Sequence, residues 1–312
     1  MIVNNLKKQL NGKEILQDIS FTLSDKDKVG LVGVNGSGKS TLLKILSGEL
    51  EKDSGTIKLN EEIIGYLKQE IPYIFNDLSV IEYLKKETNI EILEKKLHAL
   101  EENLTEENME EYGIIQSQFL AIDGYMFEEN LTNILLGLHF NKSLSCKIGT
   151  LSGGEKIKIL LAALILKNND IILLDEPTNN LDIEAIEWLE NHLKQSSKKM
   201  IIISHDEVFL NNVVNKIFEL KDGKIKEYNL SYKEYLKQKE YEYNREKEEY
   251  IKAQEEKEKL KKQVQKAKEW ASKGTSKKNR SDNDKLSNNF AIERTNTKNI
   301  SKLTRTLQNL EI

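Results

Sequence analysis

Residues Gly33, Val34, Asn35, Gly36, Ser37, Gly38, Lys39 and Ser40 follow one another in the spacing G-x-x-x-x-G-K-S/T, with Thr41 next. The glycines allow a tight turn whose backbone N–H groups point inward. With the N-terminus of a following helix they form a cradle for anions. Lys39 can reach the β- and γ-phosphates of a nucleotide, and the Ser40 hydroxyl can hold Mg²⁺. The context fits. Val29 to Val32 is a short apolar strand ending at Gly33, and Leu42, Leu43, Ile45 and Leu46 form the apolar face of a helix that stops near Gly48.

A carboxylate pair, Asp175 and Glu176, ends the apolar run Ile171–Leu174. By themselves two acids in that position read as a solvated strand end. Beside a phosphate loop they read as chemistry, because a carboxylate at the C-terminal end of a parallel strand faces the ligand crevice of an open α/β sheet. Asp175 is placed to hold Mg²⁺ through water, and Glu176 to polarise an attacking water.

The elements that must position these groups follow a helix–strand alternation. Ile171–Leu174 and Met200–Ile203 are continuous apolar runs, the pattern of strands buried on both faces of a parallel sheet. Ile63 to Leu67 is a further strand. Between them, Leu93, Leu97, Leu100 and Leu104 form a narrow seam on an acidic helix. Thr105 is placed to cap a second helix carrying Tyr112, Ile115, Phe119 and Ile122. The fold class expected is α/β, with a helical insert at about 85–125. From 233 to 272 no Gly or Pro occurs, and 22 of residues 233–269 are charged. A helix over 233–272 would be roughly 60 Å long. Residues 274–289 read as a loop, and Leu303, Leu307 and Leu310 begin a second amphipathic helix.

Composition narrows the class. The chain has 312 residues, a net charge of −4 and a single cysteine, Cys146. An intramolecular disulfide is excluded, and a reducing compartment fits. No apolar run is long enough for a membrane span, and the N-terminus lacks a signal-peptide pattern, so a cytoplasmic chain without a membrane domain is expected. Charge is uneven. Residues 233–312 carry 21 Lys/Arg against 14 Asp/Glu, while 1–232 carry 26 against 37. A basic tail on an acidic body suits a polyanionic partner. His98, His139 and His192 lie in no motif and read as surface or packing residues.

Between the two phosphate-site motifs, Leu151-Ser152-Gly153-Gly154-Glu155 resembles the signature of ATP-binding cassette (ABC) ATPases. Gln69 resembles that family's Q-loop glutamine, 177–182 its D-loop, and Ser204-His205-Asp206 its switch histidine. The run from Leu151, with the segments around 173–182 and 204–210, is similar to the soluble F branch (ABC-F). The resemblance implies a P-loop ABC cassette over 1–230 that binds and hydrolyses ATP with Mg²⁺. Glu176, His205 and Gln69 would be catalytic. Ser40, Gln69 and Asp175 would surround the metal, and Ser152, Gly153, Gly154 and Glu155 would meet nucleotide held by another cassette. It further implies an arm at about 85–125, an interdomain linker over 231–312, and action on the ribosome, in translation or in antibiotic protection. Leu10 stands where the family commonly has an adenine-stacking aromatic, Asn180 where a histidine is frequent, and no second phosphate loop follows the linker. A second cassette is therefore expected, from a missing C-terminal half or another copy. The alternatives are the ATPase subunit of a membrane transporter and a non-catalytic RNA- or ribosome-binding fragment.

Overall fold

The computed structural model describes residues 1–68 and 70–275. Gln69, the expected loop beyond Thr275 and the expected return helix lie outside the described residues. The chain divides into two units, Met1–Tyr235 and Leu236–Ile312.

The first unit holds two sheets. Strands β1 (Ile2–Leu10) and β2 (Lys13–Thr22), with β4 (Ser54–Lys58), form an antiparallel sheet in the order β2-β1-β4. Strands β3 (Lys28–Val32), β5 (Ile64–Tyr66), β6 (Ile171–Asp175), β7 (Lys199–Ile203), β8 (Lys216–Lys221) and β9 (Lys224–Tyr228) form the larger sheet. Its order is β5-β6-β7-β3-β8-β9, parallel except for β9.

The continuous apolar runs are explained by burial on both faces. Ile171, Leu173, Ile201 and Ile203 join one core with α1 (Lys39–Leu46) and the small sheet. Their alternates Ile172, Leu174, Met200 and Ile202 join a second core beneath the helices. Successive strand side chains point to opposite faces, so a strand covered on both sides loses its polar positions.

The helical side is built from α2 (Val80–Glu87), α3 (Ile90–Glu102), α4 (Met109–Ala121), α5 (Phe127–Gly137), α6 (Gly153–Leu166), α7 (Ile183–Gln195) and α8 (Glu207–Val213). Leu97, Ile115 and Phe119 are buried, with Leu93, Leu100, Tyr112 and Ile122 packed beside them. Two details differ from expectation. Leu104 is 45% exposed because α3 ends before it. Thr105 does not cap α4: its N–H donates to Asn108 Oδ1 at 2.8 Å, and the helix starts at Met109. The Asn108 side chain folds back on the Thr105 N–H, and Asn108 itself stands at the N-cap position.

Gly137 ends α5 against Trp188 of α7. A Cβ there would lie 2.1 Å from the indole. Gly137→Ala is expected to lower stability by about 1–3 kcal/mol through overpacking. A urea melt showing an unchanged midpoint would contradict that contact.

Helix α9 (Tyr232–Thr275) begins with a capping box. The Ser231 N–H donates to Glu234 Oε2 at 3.0 Å, and the Glu234 N–H to Ser231 Oγ at 3.4 Å. It runs through Gly274, which the sequence places in a loop. Ion pairs such as Arg245–Glu249 at 3.0 Å lie along it. Tyr235 is buried near the helix start, whereas Tyr241, Tyr243 and Tyr250 are exposed. No helix among the described residues is long and apolar enough to cross a membrane.

Candidate active site

The phosphate loop joins β3 to α1. Its last glycine, Gly38, sits before α1 at φ +103°, and a Cβ there would fall 2.6 Å from Ile15 Cγ2. Both backbone conformation and space require glycine. Lys39 Nζ lies back across the loop, donating to the carbonyls of Gly33 at 2.9 Å and Val34 at 3.2 Å. The ammonium is thereby held over the turn whose N–H groups would receive phosphate. Val34 is exposed, and Ser37 Oγ is buried without a hydrogen-bond partner.

Asp175 closes β6, with its Oδ2 buried and without a hydrogen-bond partner. Glu176 follows in a left-handed conformation, φ 53°. Its N–H donates to the Ile203 carbonyl at 2.9 Å, and its Oε2 accepts from the His205 N–H at 3.1 Å. His205 Nε2 lies 3.5 Å from Glu176 Oε1. The pairing of Asp175 with Ile203 across β6 and β7 therefore brings Glu176 and His205 together from 29 positions apart.

One cleft of about 440 Å³ gathers Asn35, Gly36, Gly38, Lys39, Ser40 and Thr41 with Asp175, Glu176 and His205. Gly33, Val34 and Ser37 belong to the same loop without lining that cleft. Leu10 and Ile15 supply an apolar wall. Ile15 was not legible beforehand, since a strand residue three positions beyond a turn carries no chemical signal. Gln69 lies outside the described residues.

The signature segment lies apart from this cleft. Ser152 caps α6 in a closed capping box: the Glu155 N–H donates to Ser152 Oγ at 3.3 Å, and the Ser152 N–H to Glu155 Oε2 at 2.7 Å. Lys142 Nζ also reaches Glu155 at 2.8 Å, and that bond leads in holding the carboxyl below its ordinary range. Ser152 and Gly153 are exposed. Gly154 has a packing role within the chain, because a Cβ would meet the Asn180 carbonyl at 2.9 Å. Close approach to phosphate is thus not the only demand for glycine there.

Further contacts stiffen the frame. Lys158 Nζ bonds Asp182 Oδ2 at 2.6 Å, tying α6 to the N-cap of α7 and lowering the Asp182 pKa. Asp206 accepts from the Val208 and Phe209 N–H groups at 2.9 and 3.0 Å, which starts α8 just past His205. That cap was readable as an aspartate ahead of an apolar pair.

Known proteins share this architecture. A family profile described as ABC transporter matches residues 16–179, and a second so described matches 218–301. The chain is 34% identical to the ATP-binding protein Uup of Haemophilus influenzae, over 72% of this chain and 35% of the relative. It is 32% identical to ABC transporter F family member 5 of Arabidopsis thaliana, over 75% and 36%. With the uncharacterized ABC transporter ATP-binding protein YfmM of Bacillus subtilis it shares 34%, over 75% and 47%. The chain thus spans less than half the length of these relatives. Among solved structures, the ATP-binding subunit of an ABC transporter superposes with TM-score 0.57 at 20% identity, covering 73% of this chain and 89% of that one. A nucleotide-free cassette from an ABC transporter gives 0.54 at 22%, covering 74% and 91%. These two likenesses concern the fold. The chain belongs to the ABC transporter family, as an ATP-binding cassette of the ABC-F type, and so to a family of ATPases.

Proposed function

We propose that this chain binds ATP with Mg²⁺ and hydrolyses it at sites completed by a second cassette. The observation that carries the reading is the single cleft in which the phosphate loop, Asp175, Glu176 and His205 converge. The unpartnered Asp175 Oδ2 and the neighbouring Ser40 hydroxyl suit a hard cation, which takes oxygen donors. Bound there, magnesium nucleotide supplies the phosphoryl group and an ion that offsets its charge. Lys39 binds the β- and γ-phosphates, Glu176 holds the proton of the attacking water, and His205 positions Glu176. Gln69 is assigned beside the metal on the family resemblance.

Ser152, Gly153, Gly154 and Glu155 are assigned to the nucleotide of the opposing cassette. Support comes from the exposure of Ser152 and Gly153 and their separation from the cleft of their own chain. The second cassette is either another copy or a further part of a longer chain. Turnover per chain, measured across a dilution series, tests this. Activity is expected to be low in dilute protein and to rise with concentration, or on adding a separate second cassette. Full turnover independent of both would overturn the composite site.

The domain reading assigns the cassette to 1–230, with its arm at about 85–125, and a linker to 231–312. For the linker we favour ribosomal RNA as partner, in the cytoplasm, serving translation or protection against ribosome-targeting antibiotics. The basic balance after residue 233 and the 44-residue helix support this. Cationic side chains on RNA release counterions, so ribosome co-sedimentation should weaken steeply with salt. Salt-independent association, or none in any nucleotide state, would favour a transporter subunit instead.

A further inference from the structure

A second cavity, of about 460 Å³, lies between α5, the C-terminal end of α6, and α7. None of its lining residues lines the nucleotide cleft. Its size is that of a small-molecule site.

Its wall contains a stacked pair. The Trp188 and His192 rings lie 5.1 Å apart at 19°. Trp188 is held from its own helix by that stack and from α5 by the bare backbone of Gly137. Burial, then Lys198, pushes the His192 pKa down, which favours the neutral imidazole. Ile134 and Ile165 extend the apolar surface, and Asn130 and Asn133 add amide groups.

The charge balance is unusual. Two cations line the cavity, Lys167 and Lys198. Lys167 is answered by Glu87 at 2.8 Å. Lys198 is half-buried, and its Nζ donates to the Lys167 carbonyl at 3.2 Å. Among the described residues no carboxylate lies within 4.0 Å of it. Burial pushes the Lys198 pKa down, and Asp170, whose charge opposes that shift from farther away, already accepts from the Ile63 N–H. Asp123, the carboxylate among the lining residues, is exposed to solvent. An ammonium has three protons to donate, and the helix end takes one. A half-buried cation with spare donors, beside an apolar aromatic wall, is complementary to an anion carrying an apolar body.

We propose that the cavity between α5, α6 and α7 is a binding site for a small organic anion, with Lys198 as its counter-charge and the Trp188–His192 stack as its wall.

The test uses benzoate, and benzamide as its uncharged isostere. The chain has two tryptophans, Trp188 and Trp270, so Trp270→Phe leaves Trp188 as the sole indole reporter. Benzoate should change its fluorescence saturably, with a dissociation constant on the order of a millimolar for so small a probe. Benzamide should bind at least about tenfold more weakly, the loss of one charge-assisted contact. Lys198→Gln should abolish that preference, and Lys198→Arg should keep it. Three results would overturn the proposal: no saturable change with benzoate, equal affinity for benzamide in the unaltered cavity, or an undiminished benzoate preference in folded Lys198→Gln.

Discussion

Glu176→Gln is expected to slow ATP turnover at least ~100-fold while leaving nucleotide binding close to that of the unaltered chain. The substitution keeps the side chain's shape and length. An oxygen can still accept from the His205 N–H, now 3.1 Å from Glu176 Oε2. The backbone bond to Ile203 is untouched. What disappears is the negative charge that orients water and draws on its proton. Because ground-state contacts persist, the loss should appear in kcat and not in KM. Phosphate release is the measurement, with a second cassette supplied so that the site is complete. A fall of only a few fold would remove Glu176 from the role of base and move attention to His205. The variant should also hold paired cassettes closed for longer, visible as a nucleotide-dependent species on size exclusion.

Lys39→Ala is expected to weaken ATP binding by about 10- to 150-fold, the range for losing a charge-assisted contact of ~1.5–3 kcal/mol. The structure adds a control. Among the described residues the hydrogen-bond partners of the ammonium are the carbonyls of Gly33 and Val34, and Lys39 itself lines the open cleft. Those carbonyls can turn to water, so stability should change by no more than about 0.5 kcal/mol. Weak binding with an unchanged melting temperature is the expected pair of results, by calorimetry and thermal denaturation. Wild-type affinity would refute the phosphate-loop assignment. Joint loss of binding and stability would mean that the lysine braces the loop.

Much of the nucleotide cleft was legible because its parts are local. Residues 33–41 are contiguous, and a turn of this kind needs only its own glycines and the adjoining strand and helix. Strands β6 and β7 were legible as unbroken apolar runs, since burial on both faces removes the polar alternation. The start of α4 was misread because the Asn108 side chain folds back on the Thr105 N–H and Asn108, not Thr105, takes the N-cap position. A choice between neighbouring polar residues of this kind leaves no trace in hydrophobic periodicity.

The sequence by itself determined which residues are candidates for chemistry and in what order they come. Tertiary structure decided which of them meet. Glu176 and His205 come together only because β7 adds beside β6 in a register that pairs Asp175 with Ile203. Leu10 and Ile15 face the phosphate loop only because the small antiparallel sheet packs on that side of the core. His192 read as a surface or packing residue; α5, α6 and α7 place it in the wall of a cavity. Each of these depends on contacts between residues far apart in the chain. Local propensity and hydrophobic pattern decide what an element is and which face it buries, but pairing partners and register are set by the closure of the whole core.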